Sequence, residues 1–280
     1  MSEPRSWLFV PADSERKITK ALDSEADAII FDLEDSVAPG QKTTARDILQ
    51  NLPKRSGGPE WWVRINPIGS EYHKDDLHLI AMADVHGIVL PKAESGADVT
   101  RLAHRTGNIP IHAIVTETAA SLFALLSYRD PKSTLAAMSW GAEDLSAALG
   151  ASSKYDSDGE LSFTYKLARL LCLAGAVAAG VQPVDGVFAD FKDAKGLKRE
   201  AEAARREGFT GKLAIHPAQV AVINAAFTPS AEDVAHAEQV VAAFEAHPDA
   251  GVLSVDGKMV DRPHLVQARR VLDRATKQEG

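Results

Sequence analysis

The stretch "IIFDLEDSV", residues 29–37, runs out of an apolar segment into three acids, Asp32, Glu34 and Asp35. Leaving carboxylates in or beside a core costs roughly several kcal/mol unless something positive meets them. Other polar residues follow β-rich runs in the same way: Arg64 and Asn66 in "WWVRIN", Lys92 in "GIVLPK", Glu117 in "IHAIVTE", Glu143 and Asp144 in "LAAMSWGAED", Asp190 in "VDGVFAD" and His216 in "KLAIHP". A surplus of carboxylates over bases gathered in one place suits a hard divalent cation. Mg²⁺ typically takes one or two protein carboxylates and leaves its other positions to water and substrate. No H-x-H or H-E-x-x-H pattern competes, which disfavours zinc. The acids of residues 32–35 need not touch the ion and can instead hold Arg64 and metal-bound waters in place. Period-two alternation puts Asp32 and Glu34 on one side of the strand and Asp35 on the other. Singly, several of these residues have plainer readings. Asp144 before "LSAALG" and Thr118 before "AASLF" read equally well as helix caps. His216 reads as a backbone-bonded structural histidine as readily as a catalytic one. Lys92 would serve a Schiff-base aldolase only if desolvated, and the surrounding carboxylates favour the metal route.

These residues need a scaffold that brings distant segments to one rim. Eight short β-rich runs recur with helical patterns between them, at 6–10, 27–35, 61–66, 87–92, 111–117, 135–144, 184–190 and 212–217. Most are continuously apolar, as expected for parallel strands covered on both faces. Ser14 can cap a helix carrying Ile18, Ala21 and Leu22, and Ala45, Ile48, Leu49 and Leu52 stripe the next. The pattern predicts a (β/α)8 TIM barrel over residues 1–227, whose reactive end is where the strands finish. A doubly wound sheet is the alternative, but no G-x-G-x-x-G follows the first strand and no Walker loop occurs. Residues 228–280 read as an appended lid and oligomer-contact extension. It comprises a helix with Val234, Ala237, Val241 and Phe244 on one side, a hairpin turning on Asp256-Gly257, and a helix with Leu265, Ala268 and Leu272.

A chain of 280 residues with 45% hydrophobic residues can bury a large core. Its 31 basic and 39 acidic residues give a net charge of −8, which offers no general field for nucleic acid. Cys172 is the single cysteine, so neither an intramolecular disulfide nor a thiolate cluster is available, and its apolar segment predicts an inert buried thiol. Residues 1–7 lack an apolar signal core and the longest apolar run is too short to span a bilayer. The expectation is a cytoplasmic protein with no membrane partner.

Taken together, "RSWLFVPADSERKITKA", "ADAIIFDLEDSVAPGQKTTAR", "WWVRIN", "GIVLPKAES", "AIVTETAASL", "GAEDLSAALG", "DGVFAD", "GKLAIHPAQV" and "VDGKMVD" resemble the citrate lyase beta-subunit and malyl-CoA lyase family. The likeness runs in order over nearly the whole chain. It implies a Mg²⁺-dependent (β/α)8 barrel, with Mn²⁺ as a substitute, that makes or breaks a carbon–carbon bond between a 2-oxo acid and an acyl-CoA thioester. By the resemblance, Glu117 in "VTET" and Asp144 in "GAEDL" match metal ligands. Arg64, Glu117, Gly141 and Ala142 match substrate-binding positions. Arg64, Glu34, Asp35 and Asp261 match catalytic positions, with Asp261, closing "DGKMVD", the acid-base group that family members insert into a neighbouring subunit's site. A homotrimer or hexamer is implied. Ala12 stands where the family commonly has glycine, which bears on the first loop. "IHPAQV" resembles the segment lining the family's thioester channel. Arg16, Lys17 and Lys20 are candidates for coenzyme A contacts, or an ordinary solvated face.

The reaction expected is cleavage of a β-hydroxyacyl-CoA such as malyl-CoA or citramalyl-CoA, or the reverse condensation, with thioester hydrolysis as an added activity. The alternatives are the citrate lyase beta subunit acting on citryl-acyl carrier protein and a CoA-independent hydroxy-oxo-acid aldolase. From a different class comes a non-catalytic binding protein, against which the co-occurrence of Arg64, Glu117, Asp144 and Asp261 argues.

Overall fold

Continuous apolar runs close on themselves in the computed structural model of the protein, which describes residues 3–53, 57–107, 109–130 and 134–279. Met1 and Ser2 of the N-terminal stretch and Gly280 of the tail lie outside the described residues. Two compact units divide the chain after Asn224.

In the first unit, eight parallel strands form a closed barrel in sequence order. They are β1 (Ser6–Pro11), β2 (Ala28–Asp32), β3 (Glu60–Arg64), β4 (Gly87–Leu90), β5 (Ile111–Val115), β6 (Leu135–Trp140), β7 (Gln182–Asp185) and β8 (Gly211–Ala214). The connections carry α1 (Glu15–Leu22), α2 (Lys42–Gln50), α3 (His73–Ile80), α4 (Gly96–Thr106), α5 (Ala142–Leu149), α6 (Phe163–Ala179) and α7 (Ala194–Glu207), with α8 (Val220–Phe227) after β8. Ala45 and Leu49 of the expected α2 stripe are buried. Between β5 and β6 the chain makes two 3-10 turns, Ser121–Phe123 and Leu125–Tyr128, and Thr118 Oγ1 accepts the Ser121 N–H at 3.2 Å.

Seven of the eight expected strands, β2 to β8, end two or more residues early, and at β2 and β7 the structure shows what stops them. The Asp32 carboxylate accepts the N–H groups of Glu34 (2.9 Å) and Ser36 (3.2 Å), which turns the chain out of the ladder, so β2 stops at Asp32 and Glu34 sits on a turn. The seventh strand lies at Gln182–Asp185 rather than 184–190. Directly after it, Gly186 passes the Trp140 indole so closely that a Cβ would lie 2.9 Å from the ring, and the chain leaves the sheet.

The barrel interior is packed by Trp7, Ala28, Ile30, Trp62, Val89, Ile114, Ala137, Val184 and Leu213. Trp7 meets Trp62 at 4.9 Å between ring centroids and His112 edge-on at 4.6 Å. Gly87 is required beside them, because a Cβ there would fall 2.2 Å from the Trp62 ring. Burial pushes the His112 imidazole down to about 3, so it is neutral, and Nε2 pairs with Ser139 Oγ at 2.9 Å. Between β7 and β8, the buried Lys212 ammonium donates to Asp185 (2.8 Å), Glu200 (2.7 Å) and the Gly186 carbonyl (2.8 Å). Asp185 also accepts from Arg169 (2.8 Å) and the Trp140 indole (2.9 Å).

The second unit contains α9 (Ala231–Ala246), β9 (Val252–Val255), β10 (Lys258–Asp261) and α10 (Arg262–Glu279). Its core is Ala237, Val240, Phe244, Val255, Val260, Leu265 and Ala268. The antiparallel hairpin turns on Asp256 (φ 49°) and Gly257 (φ 73°), the two left-handed positions that a tight hairpin of this kind needs. Among the described residues no helix is long and apolar enough to cross a membrane.

Candidate active site

The site begins with strand register. β2 and β3 pair in parallel so that Asp32 stands opposite Arg64, and both side chains leave the sheet on the same side. Arg64 Nε and NH2 donate to the two Asp32 oxygens at 2.7 and 2.6 Å, and the guanidinium lies over the Phe9 ring at 4.7 Å. Burial would raise the Asp32 carboxyl, but the Arg64 charge and the hydrogen bonds outweigh it and hold the group below the usual carboxylate range. Burial opposes the Arg64 charge too, yet Asp32 and Glu34 leave the guanidinium more firmly protonated than usual. Glu34 Oε2 is 3.0 Å from Arg64 NH1 without an aligned hydrogen bond. Burial therefore wins at Glu34, and its carboxyl is raised despite Arg64 and Lys92. Asp32 and Glu34 thus share Arg64, although a turn rather than strand alternation delivers Glu34.

Lys42 holds that turn. Its buried ammonium donates to the carbonyls of Leu33 (2.7 Å) and Glu34 (2.8 Å) and to Asn66 Oδ1 (2.9 Å). Asn66 is fixed in turn by the buried Asp76, which Arg46 pairs at 2.8 Å. The sequence reading passed over Lys42 and Asp76. Lys42, Ala45 and Leu49 share one helical face, and a lysine on that apolar stripe was the available signal.

The ends of β4 and β5 are strained. Lys92 (φ 51°) and Thr116 (φ 60°) both occupy the left-handed region, costing about 1–3 kcal/mol each. With this geometry the Lys92 N–H donates to Glu117 Oε2, while Lys92 Nζ contacts Glu34 and lies 3.3 Å from both Asp35 and Asp144. Burial disfavours the ammonium, but the Glu34 hydrogen bond and the neighbouring carboxylates more than offset it, so its pKa is raised. A lysine so firmly protonated is a poor Schiff-base nucleophile. Burial, joined by the Asp144 and Glu34 charges, pushes the Glu117 carboxyl well above its ordinary value. Gly141 makes room for it, since a Cβ there would lie 2.6 Å from Glu117 Cγ and 2.9 Å from Oε1.

Gly141 is the N-cap of α5, Ala142 its first residue and Asp144 its third, so Asp144 is not the cap. Arg64, Glu34, Asp35, Glu117 and Asp144 come together through Lys92 and Arg64. Asp261 belongs to the second unit, ending β10, where its Oδ1 meets His264 Nδ1 at 2.5 Å; that hydrogen bond holds its carboxyl below the usual range. His216 Nδ1 accepts the Ala218 N–H at 3.1 Å and caps a 3-10 turn, which realises the structural reading, and its ring stacks on Phe191 at 4.7 Å. Glu143 pairs with Lys154, and Asp190 accepts the Lys192 N–H in its own loop. Cys172 is buried, and burial pushes its thiol up. Arg16, Lys17 and Lys20 are exposed on α1.

The donor set fits a divalent cation. Among the described residues, Asp32, Glu34, Asp35, Glu117 and Asp144 have Arg64 and Lys92 as the cations in contact with them, and burial together with the Asp144 and Glu34 charges raises the Glu117 carboxyl. Among the described residues no group of three or more His, Cys, Asp or Glu side chains is placed to hold a metal. Two carboxylates with water and substrate is the mode typical of Mg²⁺.

The model of the HpcH/HpaI aldolase/citrate lyase family matches residues 5–217. The chain belongs to this family. Relatives within it include a (3S)-malyl-CoA thioesterase from Cereibacter sphaeroides, 38% identical over 97% of this chain and 94% of that protein. The mitochondrial citramalyl-CoA lyase of Homo sapiens is 33% identical over 97% of this chain and 85% of its own. Among solved structures, the protein CitE from Mycobacterium tuberculosis in complex with magnesium, acetoacetate and coenzyme A superposes with a TM-score of 0.84. It is 37% identical and covers 98% of both chains. Family membership makes this chain an enzyme of the lyase type, and the eight-stranded barrel is the fold the sequence predicted.

Proposed function

We propose that the chain is a Mg²⁺-dependent carbon–carbon lyase that splits a β-hydroxyacyl-CoA such as malyl-CoA or citramalyl-CoA into an acyl-CoA and a 2-oxo acid, or runs the reverse condensation. The observation that carries this reading is a half-buried Arg64, held by two hydrogen bonds to Asp32, beside a cluster of carboxylates in which burial and the Asp144 and Glu34 charges raise Glu117. A Mg²⁺ held by Glu117 and Asp144 would polarise the substrate hydroxyl and stabilise its alkoxide. Arg64 has five N–H donors, of which Asp32 takes two, and the rest can bind the reacting oxygen and its adjacent carboxylate. Loss of the hydroxyl proton and rupture of the carbon–carbon bond leave the electron pair on the thioester enolate, which an acid must protonate. On leaving His264 the Asp261 carboxylate would take the hydroxyl proton and then deliver it to the enolate carbon, acting across a subunit boundary. Glu34 and Asp35 keep Arg64 and Lys92 in place, and Gly141 and Ala142 present the start of α5 to substrate.

Self-association into a trimer or hexamer fits the exposed apolar side chains of one region. Phe163 (75%), Leu167 (41%) and Leu170 (57%) line α6, and Phe123 (93%) and Leu126 (72%) project from the 3-10 turns before β6. Equilibrium sedimentation tests the assembly state, and a monomer at micromolar concentration would contradict it.

The test of function is a screen of CoA thioesters with Mg²⁺, read as release of glyoxylate, pyruvate or oxaloacetate. Turnover of malyl-, citramalyl- or citryl-CoA that EDTA abolishes is expected. Free CoA released together with the whole hydroxy acid would favour thioester hydrolysis, the activity for which the Cereibacter sphaeroides relative is named. Cleavage of free hydroxy-oxo acids without any thioester turnover would overturn the CoA reading, and activity only on an acyl carrier protein thioester would favour the citrate lyase beta subunit.

A further inference from the structure

Lys92 reaches both carboxylates assigned to the cation, one through each end of the residue. Its backbone N–H, aimed by the left-handed φ of 51°, donates to Glu117 Oε2. Its ammonium contacts Glu34 and stands 3.3 Å from Asp144 Oδ1 and 3.3 Å from Asp35 Oδ2. Arg64, by contrast, contacts Asp32 and Glu34. Among the described residues, Lys92 is therefore the cation in contact with Asp144. A backbone strained to serve Glu117 and a side chain folded back to Asp144 make one residue the electrostatic hinge of the site.

We propose that Lys92 is a built-in competitor of the divalent cation: its ammonium holds the carboxylates together when no metal is bound and must yield Asp144 when metal arrives, so this one charge sets the affinity for the ion. This inference rests on Glu117 and Asp144 being the ligands. A unit positive charge a few ångström from a divalent ion near a protein surface weakens binding by at least about tenfold. The site thereby trades metal affinity for a cluster that stays ordered in the metal-free protein.

The test is Mn²⁺ binding to the full-length protein, measured by the electron paramagnetic resonance signal of the free ion. Lys92→Met should bind Mn²⁺ at least about tenfold more tightly than wild type. Lys92→Arg, which keeps the charge, should stay near wild type. Asp144→Asn should weaken binding, and the gain from Lys92→Met should shrink in the Asp144→Asn background. Thermal melting gives a second readout for a destabilised variant: saturating Mn²⁺ should raise the melting temperature of Lys92→Met more than that of wild type. Lys92→Met binding no more tightly than wild type, or gaining no more melting temperature from Mn²⁺, overturns the inference. Unchanged binding by Asp144→Asn would instead overturn the ligand assignment, so the two failures are separable.

Discussion

Asp32→Asn removes one charge from the pair that anchors Arg64 while nearly preserving its shape. In the wild type both Asp32 oxygens accept from Arg64, at 2.7 and 2.6 Å, and also take the N–H groups of Glu34 and Ser36. An asparagine offers one oxygen, and its amide NH₂ must face a donor. Breaking one side of a buried ion pair costs about 3–5 kcal/mol. Glu34 remains 3.0 Å from Arg64, which places the loss near the low end, about 3 kcal/mol. For a domain of this size that is roughly 6–12 °C in melting temperature. Intrinsic fluorescence is the suitable probe, because Trp7, Trp61, Trp62 and Trp140 all lie in the barrel unit. The pH dependence has a definite sign. Asp32 titrates lower in the folded state, so its contribution is present above its unfolded value, about 3.9, and is lost as pH falls through the lower folded value. The gap between wild type and Asp32→Asn in urea melts should therefore be full at pH 7 and narrow below about pH 4. Thioester cleavage should fall at least about a hundredfold, since Arg64 loses the partner that fixes its orientation. Equal urea midpoints at pH 7, or full activity in a stably folded variant, would refute this account of Arg64.

Glu117→Gln should make the metal-free protein more stable at pH 7, by about 1 kcal/mol, while abolishing Mg²⁺-dependent turnover. Its carboxyl is raised by burial, so the penalty is full above the raised folded value and absent below the unfolded one, and the advantage of glutamine should vanish in acid. Gly141→Ala should displace the Glu117 carboxylate, because the added Cβ falls 2.6 Å from Cγ; a loss of about 1–3 kcal/mol and weaker Mn²⁺ binding are expected from melting and titration. Lys212→Met should lower stability by about 3–5 kcal/mol in urea melts, since it leaves the buried Asp185 with Arg169 alone as its charged partner. Mixing an Asp261→Ala chain with an Arg64→Ala chain should restore part of the activity in mixed oligomers, and no restoration would place the acid within its own chain.

The barrel was legible because strands buried on both faces need unbroken apolar runs, and eight such runs leave little choice of closure. Where strands stop was less legible. Asp32 ends its own strand with side-chain hydrogen bonds, and Gly186 leaves the sheet beside the Trp140 ring at the end of the neighbouring strand, a contact that no local pattern encodes. The hairpin at Asp256-Gly257 could be read because the turn type dictates its residues. At the site, types and approximate places could be read, but pairings could not. The double role of Lys92 depends on its backbone twist, and a positive φ at lysine leaves no mark in sequence. Asp144 and its neighbour Glu143 are indistinguishable by type; helix phase decides that Asp144 meets Lys92 while Glu143 faces Lys154.

The central claim is that Glu117 and Asp144 share one divalent cation beside Arg64. Anomalous diffraction from crystals grown with Mn²⁺ and a 2-oxo acid tests it most directly. The account predicts a single peak bonded to both carboxylates, with the oxo acid held against the Arg64 guanidinium. A peak bonded to neither, or an oxo acid bound away from Arg64, would contradict it.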